Sequence, residues 1–80
     1  MIVNIKVFAV LKDYFEPEFT LEINEGLKIS DILDIIMVKS PFSSSVLFRS
    51  RVAICENFVS PDYILKENET IFIIPPSSGG

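Results

Sequence analysis

The chain has 80 residues, seven basic against eleven acidic, one cysteine and no histidine, so a disulfide scaffold and a Cys/His zinc site are excluded by counting. The scattered cations leave no phosphate-tracking stripe for nucleic acid, and no apolar run approaches the roughly 20 residues that span a bilayer. At 49% hydrophobic, with no basic region leading into a long apolar stretch, the expectation is one soluble, cytoplasmic domain near the lower size limit for an unstapled core.

Residues Ile2 to Ala9 alternate with period two, placing Val3, Ile5, Val7 and Ala9 on one face and Asn4, Lys6 and Phe8 on the other, as in a half-buried strand. Val10 to Phe15 reads as a short helical turn closed by Glu16-Pro17. Phe19 to Ile23 alternates again, with Phe19, Leu21 and Ile23 inward, and Asn24-Glu25-Gly26 ends it as a turn. Ser30 is a good N-cap for a helix over residues 31–39, with Asp31 in its first turn and Lys39 in its last. Ile29, Ile32, Leu33, Ile36 and Met37 form a wide apolar stripe on that helix, and Ser40-Pro41 stops it. The next stretch carries little signal; Val46-Leu47-Phe48 fits either a helical turn or a loop. Arg51 to Cys55 reads as a strand with Cys55 a small buried hydrophobe, Glu56-Asn57 as a turn and Phe58-Val59 as a short return. Pro61-Asp62 breaks the chain, Tyr63-Ile64-Leu65 tucks under a loop, and Glu67-Asn68-Glu69 turns into a last strand, Thr70 to Ile74. Phe15, Phe19 and Phe42 are expected in the core. The pairs Asp31/Asp34 and Glu67/Glu69 read as helix solvation and turn polarity, with no converging ligands for a metal.

One amphipathic helix has one sheet to cover. The expected fold is therefore α+β: a mixed sheet of four to five strands with one main helix across one face, first and last strands parallel at the centre. This is the β-grasp arrangement of ubiquitin-like proteins, expected over residues 1–74. Residues 75–80 are expected as an extended, flexible tail. Pro75 and Pro76 end the ladder and stiffen the exit, Ser77 and Ser78 are small, and Gly79 and Gly80 carry no side chain. Such a tip threads a channel too narrow for any Cβ and presents a carboxylate, a poor electrophile until an oxygen becomes a leaving group. The tail reads as a substrate for an activating enzyme. Phe8, Phe72 and Ile74, joined by Phe58, fall on the sheet face opposite the helix and are expected to form a docking patch.

The ending Ile73-Ile74-Pro75-Pro76-Ser77-Ser78-Gly79-Gly80 resembles the C-terminal signature of the small, sulfur-carrying subunit of molybdopterin synthase: a hydrophobic strand, a proline pair, two variable residues and Gly-Gly. Residues 52–59 and 7–13 are also similar to that family, so the resemblance covers nearly the whole chain. It implies that an ATP-dependent, E1-like activating enzyme adenylates the carboxylate of Gly80 and that a sulfur donor converts it to a thiocarboxylate. It further implies docking on the large synthase subunit in a 2+2 heterotetramer. There the tail, from Pro75, Pro76, Ser77 and Ser78 to Gly79, enters the active site, and the thiocarboxylate donates sulfur to a pyranopterin precursor. The implied partner-binding residues are Phe8, Lys12, Phe58, Phe72 and Ile74; no cofactor is expected on this chain, and the acid/base groups are expected on the large subunit. Two positions depart from the pattern. Lys12 stands where the family commonly has arginine, and Asn68 stands where it has a glycine before the last strand. Three other readings stay open: a related carrier for thiamin or another sulfur pathway, a ubiquitin-like protein modifier, and a plain interaction module.

Overall fold

The computed structural model describes residues 1–76, and the period-two pattern at the start becomes strand β1 (Ile2–Val7). It ends two residues earlier than the alternation suggested. Ala9 takes a positive φ of 52° and opens a 3-10 turn over Ala9–Asp13, so its methyl is exposed rather than inward. That turn buries Leu11 and returns the chain to β2 (Glu18–Glu22), antiparallel to β1. Helix α1 spans Ile29–Lys39. Its first turn is tied by Asp31, whose carboxylate accepts the Lys28 N–H at 3.1 Å, and Ser30 lies inside the helix instead of capping it. A carboxylate at the third helical position satisfies the N–H of the residue that opens the helix and, being negative, favours the positive end of the helix dipole, which a neutral serine cap would not.

After Pro41–Ser43, a single 3-10 turn, comes the short helix α2 (Ser44–Arg49), which settles the weakly patterned stretch in favour of a helix. It is held by Leu47, fully buried, and by the Ser43 hydroxyl, buried and donating to the Ser40 carbonyl at 2.7 Å. Phe42 is 89% exposed, so it is no core residue; the chain turns at Pro41 and points Phe42 outward while Ser43 takes the interior position.

Strands β3 (Arg51–Ile54) and β4 (Asn57–Val59) form a hairpin around a two-residue loop, Cys55-Glu56. The turn thus falls one residue earlier than expected, and Cys55 is exposed at its tip rather than buried in a strand. Both loop residues have positive φ, 52° and 68°, the type I′ pattern whose twist matches a right-twisted hairpin. Non-glycine residues are strained there by roughly 1–2 kcal/mol each. Glu56→Gly is therefore expected to stabilise the fold by about 0.5–1 kcal/mol once glycine's greater unfolded freedom is offset. Thermal melts of the two proteins check it.

The last strand, β5 (Thr70–Ile74), completes a mixed sheet ordered β2-β1-β5-β3-β4. β5 is parallel to β1 and antiparallel to β3, so the first and last strands are the central pair. Helix α1 covers one face: Ile29, Ile32 and Ile36 meet Val3, Ile5, Val7, Ile71 and Ile73 in one buried cluster. Phe15 and Phe19 stack at 5.5 Å at its edge. This is the β-grasp fold. No helix among the described residues is long and apolar enough to cross a membrane.

The loop into β5 is fastened by one carboxylate. Glu69 accepts the Tyr63 hydroxyl at 2.8 and 3.0 Å and the Lys66 N–H at 2.8 Å, while Asn68 takes the left-handed φ of 67° that the tight turn requires. Hydrogen bonding to Glu69, then burial and the nearby negative charge, raise the Tyr63 phenol above its ordinary 10.0. The native state holds that proton more tightly than the unfolded chain does. The contribution is complete below pH 10.0 and is lost as pH rises through the higher folded value. Denaturant titrations on either side of pH 10.0 are expected to show a steeper alkaline loss of stability in the parent than in Tyr63→Phe.

Candidate functional site

Among the described residues no helix covers the sheet face opposite α1, and strand register decides what lies on it. Lys6 of β1 is level with Phe72 of β5, Phe72 with Ala53 of β3, and Ala53 with Phe58 of β4. One row across four strands therefore reads Lys6, Phe72, Ala53, Phe58. The next position along β5, Ile74, is level with Arg51. Phe8, just past the end of β1, stacks on Phe72 with ring centroids 6.2 Å apart and planes 20° apart.

The small methyl of Ala53 between two phenylalanines makes a depression. A groove of ≈ 360 Å³ opens there, lined by Phe8, Ala53, Glu56, Phe58, Phe72 and Ile74. Phe8 is 39% and Phe58 56% exposed, and Phe72 and Ile74 are half-buried. Aromatic side chains that stay in water on a sheet face gain by burial against a partner. Two cations stand over this apolar surface. The Arg51 guanidinium carbon is 4.4 Å from the Phe58 ring centre, and the Lys6 ammonium is 5.8 Å from that of Phe72 and 4.0 Å from a Glu18 carboxylate oxygen. Each such cation–π contact is worth about 0.5–1 kcal/mol at an exposed site and restrains the ring.

The structure brings together Phe8, Phe58, Phe72 and Ile74. Lys12 is not part of that group: it is exposed on the 3-10 turn and lines a separate depression with Asp13, Phe15 and Lys39. The groove sits where residues 75–80 leave the sheet, since Ile74, which lines it, is the last residue of β5. Pro75, the residue after β5, is buried, and Pro76 is exposed. Ser77, Ser78, Gly79 and Gly80 lie outside the described residues. Periodicity did not single out Ala53, Arg51, Lys6 or Glu56 for the groove. The signal for Ala53 was present as a small residue in an otherwise large apolar run, but its value depends on the register with Phe58 and Phe72. Among the described residues no cluster of carboxylates and cysteine is arranged to hold a metal ion.

Residues 5–80 match the ThiS family over almost the whole chain. The chain belongs to the ThiS family. It is a β-grasp sulfur carrier of the ThiS type. Solved structures agree with this ThiS-family fold. Small archaeal modifier protein 1 from Methanosarcina acetivorans is 26% identical with a TM-score of 0.81, over 99% of this chain and 96% of its own. A Pyrococcus furiosus protein assigned as molybdopterin converting factor subunit 1 is 21% identical with a TM-score of 0.82, over 95% of this chain and 98% of its own. A chain from the Helicobacter pylori complex of molybdopterin-converting-factor subunits 1 and 2 is 21% identical with a TM-score of 0.71, each chain covered in full.

Proposed function

We propose that this ThiS-family chain is the small, sulfur-donating subunit of molybdopterin synthase, carrying sulfur as a thiocarboxylate on Gly80. The observation that carries the reading is the Pro75-Pro76-Ser77-Ser78-Gly79-Gly80 ending set directly on the strand whose Ile74 lines the apolar groove. An apolar groove fixes the domain on a partner, and a proline pair ends the ladder and stiffens the exit from the sheet. From Pro76 to Gly80 the covalent reach is at most about 18 Å at 3.3–3.6 Å per residue. That is long enough to deliver a carboxyl group into a neighbouring enzyme's interior.

The chemistry divides into steps this chain undergoes rather than performs. A Gly80 carboxylate oxygen attacks the α-phosphorus of ATP on an E1-like activating enzyme, pyrophosphate leaves, and an acyl adenylate results. A hydrosulfide equivalent from the sulfur donor then adds to the acyl carbon and AMP leaves, which places sulfur at the C-terminus. On the large subunit, in the expected 2+2 assembly, that sulfur bonds to a carbon of the pyranopterin precursor, and water then cleaves the acyl–sulfur bond, which leaves sulfur on the product and returns Gly80 as a carboxylate. Two carriers supply one dithiolene. Glycine at the last two positions leaves the acyl carbon unhindered through both transfers, because no Cβ crowds the approach.

The related reading is a carrier for another sulfur pathway or a protein modifier, which the archaeal modifier among the structural relatives keeps in play. Intact-mass measurement after incubation with an activating enzyme, ATP and a sulfur donor is expected to show exchange of one oxygen for sulfur at Gly80. Mixing the thiolated chain with large subunit and precursor is then expected to yield molybdopterin. Loading without that product, or transfer to lysines of other proteins, would move the assignment to one of the related roles.

A further inference from the structure

An open sheet has two edge strands, and here they are β2 and β4. β4 has three residues and β2 has five. Backbone hydrogen bonds settle which way each residue of β2 faces. The Met1 nitrogen donates to the Ile23 carbonyl at 2.6 Å, the Ile23 N–H donates to the Met1 carbonyl at 2.8 Å, and the Val7 N–H donates to the Pro17 carbonyl at 3.0 Å. Bonded pairs alternate along an antiparallel ladder, so Phe19 and Leu21 turn their backbone groups toward β1, and Glu18, Thr20 and Glu22 turn theirs away from it. The N–H and C=O groups of those three residues have no hydrogen-bond partner among the described residues. Their side chains are exposed on the open face, level with Ile2, Asn4 and Lys6, while Phe19 and Leu21 lie on the face toward α1. On that side the seam between β2 and α1 has a depression at each end. Phe15, Phe19 and Lys39 line one, and Ile23, Leu27 and Ile35 line the other. Phe15, Phe19, Leu27 and Ile35 are only partly buried. From Asp13 to Gly26 the sequence has five acidic residues and no basic one. Lys6, 4.0 Å from a Glu18 oxygen, stands beside the edge on the open face, and Lys12 and Lys39 stand at its Phe19 end.

We propose that β2 is a second docking edge, to which an extended segment of a partner protein adds as a further strand. That segment carries Lys or Arg level with Glu18 and Glu22 and apolar side chains level with Phe19 and Leu21. The backbone array selects an extended chain, because a strand presents free donors and acceptors at the same two-residue interval, whereas a helix has spent its own. The two faces of β2 then set the alternation of the occupant. Opposite charges across neighbouring strands attract on the open face, and on the α1 side apolar side chains cover the partly buried seam. Charge decides against a second copy of this chain, since antiparallel pairing through all three positions would set Glu18 against Glu22 twice. The same glutamates guard the edge against indiscriminate pairing, as charges on edge strands do. The Phe8 groove lies over β5, β3 and β4, and β1 separates β5 from this edge, so both can be occupied together. The inference stands whether or not the carrier reading does.

Thr20→Pro isolates the edge. The Thr20 N–H points away from the ladder, so proline there removes no bond of the sheet, yet it takes a donor from the edge and puts a ring in the way of an added strand. The test pans the full chain against a displayed library of random peptides, in parallel with Thr20→Pro and with Glu18→Lys/Glu22→Lys. Circular dichroism checks the fold; should Thr20→Pro be unfolded, the charge-reversed protein carries the comparison. The parent is expected to enrich peptides in which Lys or Arg alternates with large apolar residues. Synthesised, these should bind both variants at least about tenfold more weakly and bind Phe8→Ser/Phe58→Ser unchanged. They should also slow amide hydrogen exchange at Glu18, Thr20 and Glu22, the mark of new backbone bonds on this edge. Enrichment of acidic or unpatterned peptides, or of none, overturns the proposal. So does equal binding to a folded Thr20→Pro, unchanged exchange at those three amides, or a concentration-dependent dimer abolished by Thr20→Pro in sedimentation.

Discussion

Deleting Gly79 and Gly80 is expected to abolish sulfur loading and sulfur transfer while leaving the melting transition of the domain in place. The buried cluster runs from Val3 to Ile73, and the sheet is closed by β5 at Ile74, so the interior residues and the ladder survive the deletion. What changes is the last acyl carbon, which would then belong to Ser78 and carry a Cβ and hydroxyl beside it. A side chain at that carbon obstructs both the attack on ATP and the later attack by sulfur, and the arm is shorter by about 7 Å. Intact mass with the activating enzyme reads the loading, and circular dichroism reads the fold. Loading retained at Ser78 would break the link between the glycine pair and the chemistry; an unfolded protein would make the tail structural.

Replacing Phe8 and Phe58 together by serine is expected to weaken binding to the activating enzyme and to the large subunit by about 30-fold or more each, the effect of losing roughly 2 kcal/mol at an aromatic anchor. Groove and tail share one position on the domain. Any enzyme that receives a tail rooted at Ile74 meets the surface beside it, which is the Phe8–Phe72 stack and the Phe58–Arg51 pair. Both substituted rings are exposed, so the domain loses little packing. Titration calorimetry with each partner measures the effect, and competition between the two partners for one carrier is its corollary. Unchanged affinity for either partner would show that this partner holds the carrier elsewhere.

The layers of the fold were readable because alternation and a wide apolar stripe are local signals. Val3, Ile5 and Val7, then Leu21 and Ile23, then Ile71 and Ile73 announce which side of each strand is buried, and Ile29, Ile32 and Ile36 supply the cover. The errors fall where backbone geometry overrides composition. Cys55 lies in an apolar run and reads as buried, yet the hairpin turns at Cys55-Glu56 with both residues left-handed and without the Asn-Gly that usually marks such a turn. Phe42 is apolar, yet Pro41 sets the turn that hands its interior place to Ser43. Of the groove, the aromatic residues were readable from parity along β1 and β5. Its floor at Ala53 and its cations Lys6 and Arg51 depend on which residues of four strands are level, and register of that kind is set by long-range pairing that no local window contains.

The parallel pairing of β1 with β5 has a bearing on how the protein is made. Ile5 finds its neighbour in Ile71, nearly the whole length of the domain away, so the middle of the sheet stays unpaired on the ribosome until residue 74 has been synthesised. During translation β1 and β2 can zip together, but β1's other edge waits, apolar and unpaired, for the last strand to arrive. The segment that would bear sulfur adjoins the strand that ends this wait, so a chain able to dock is also one whose synthesis has passed the strand that closes its sheet.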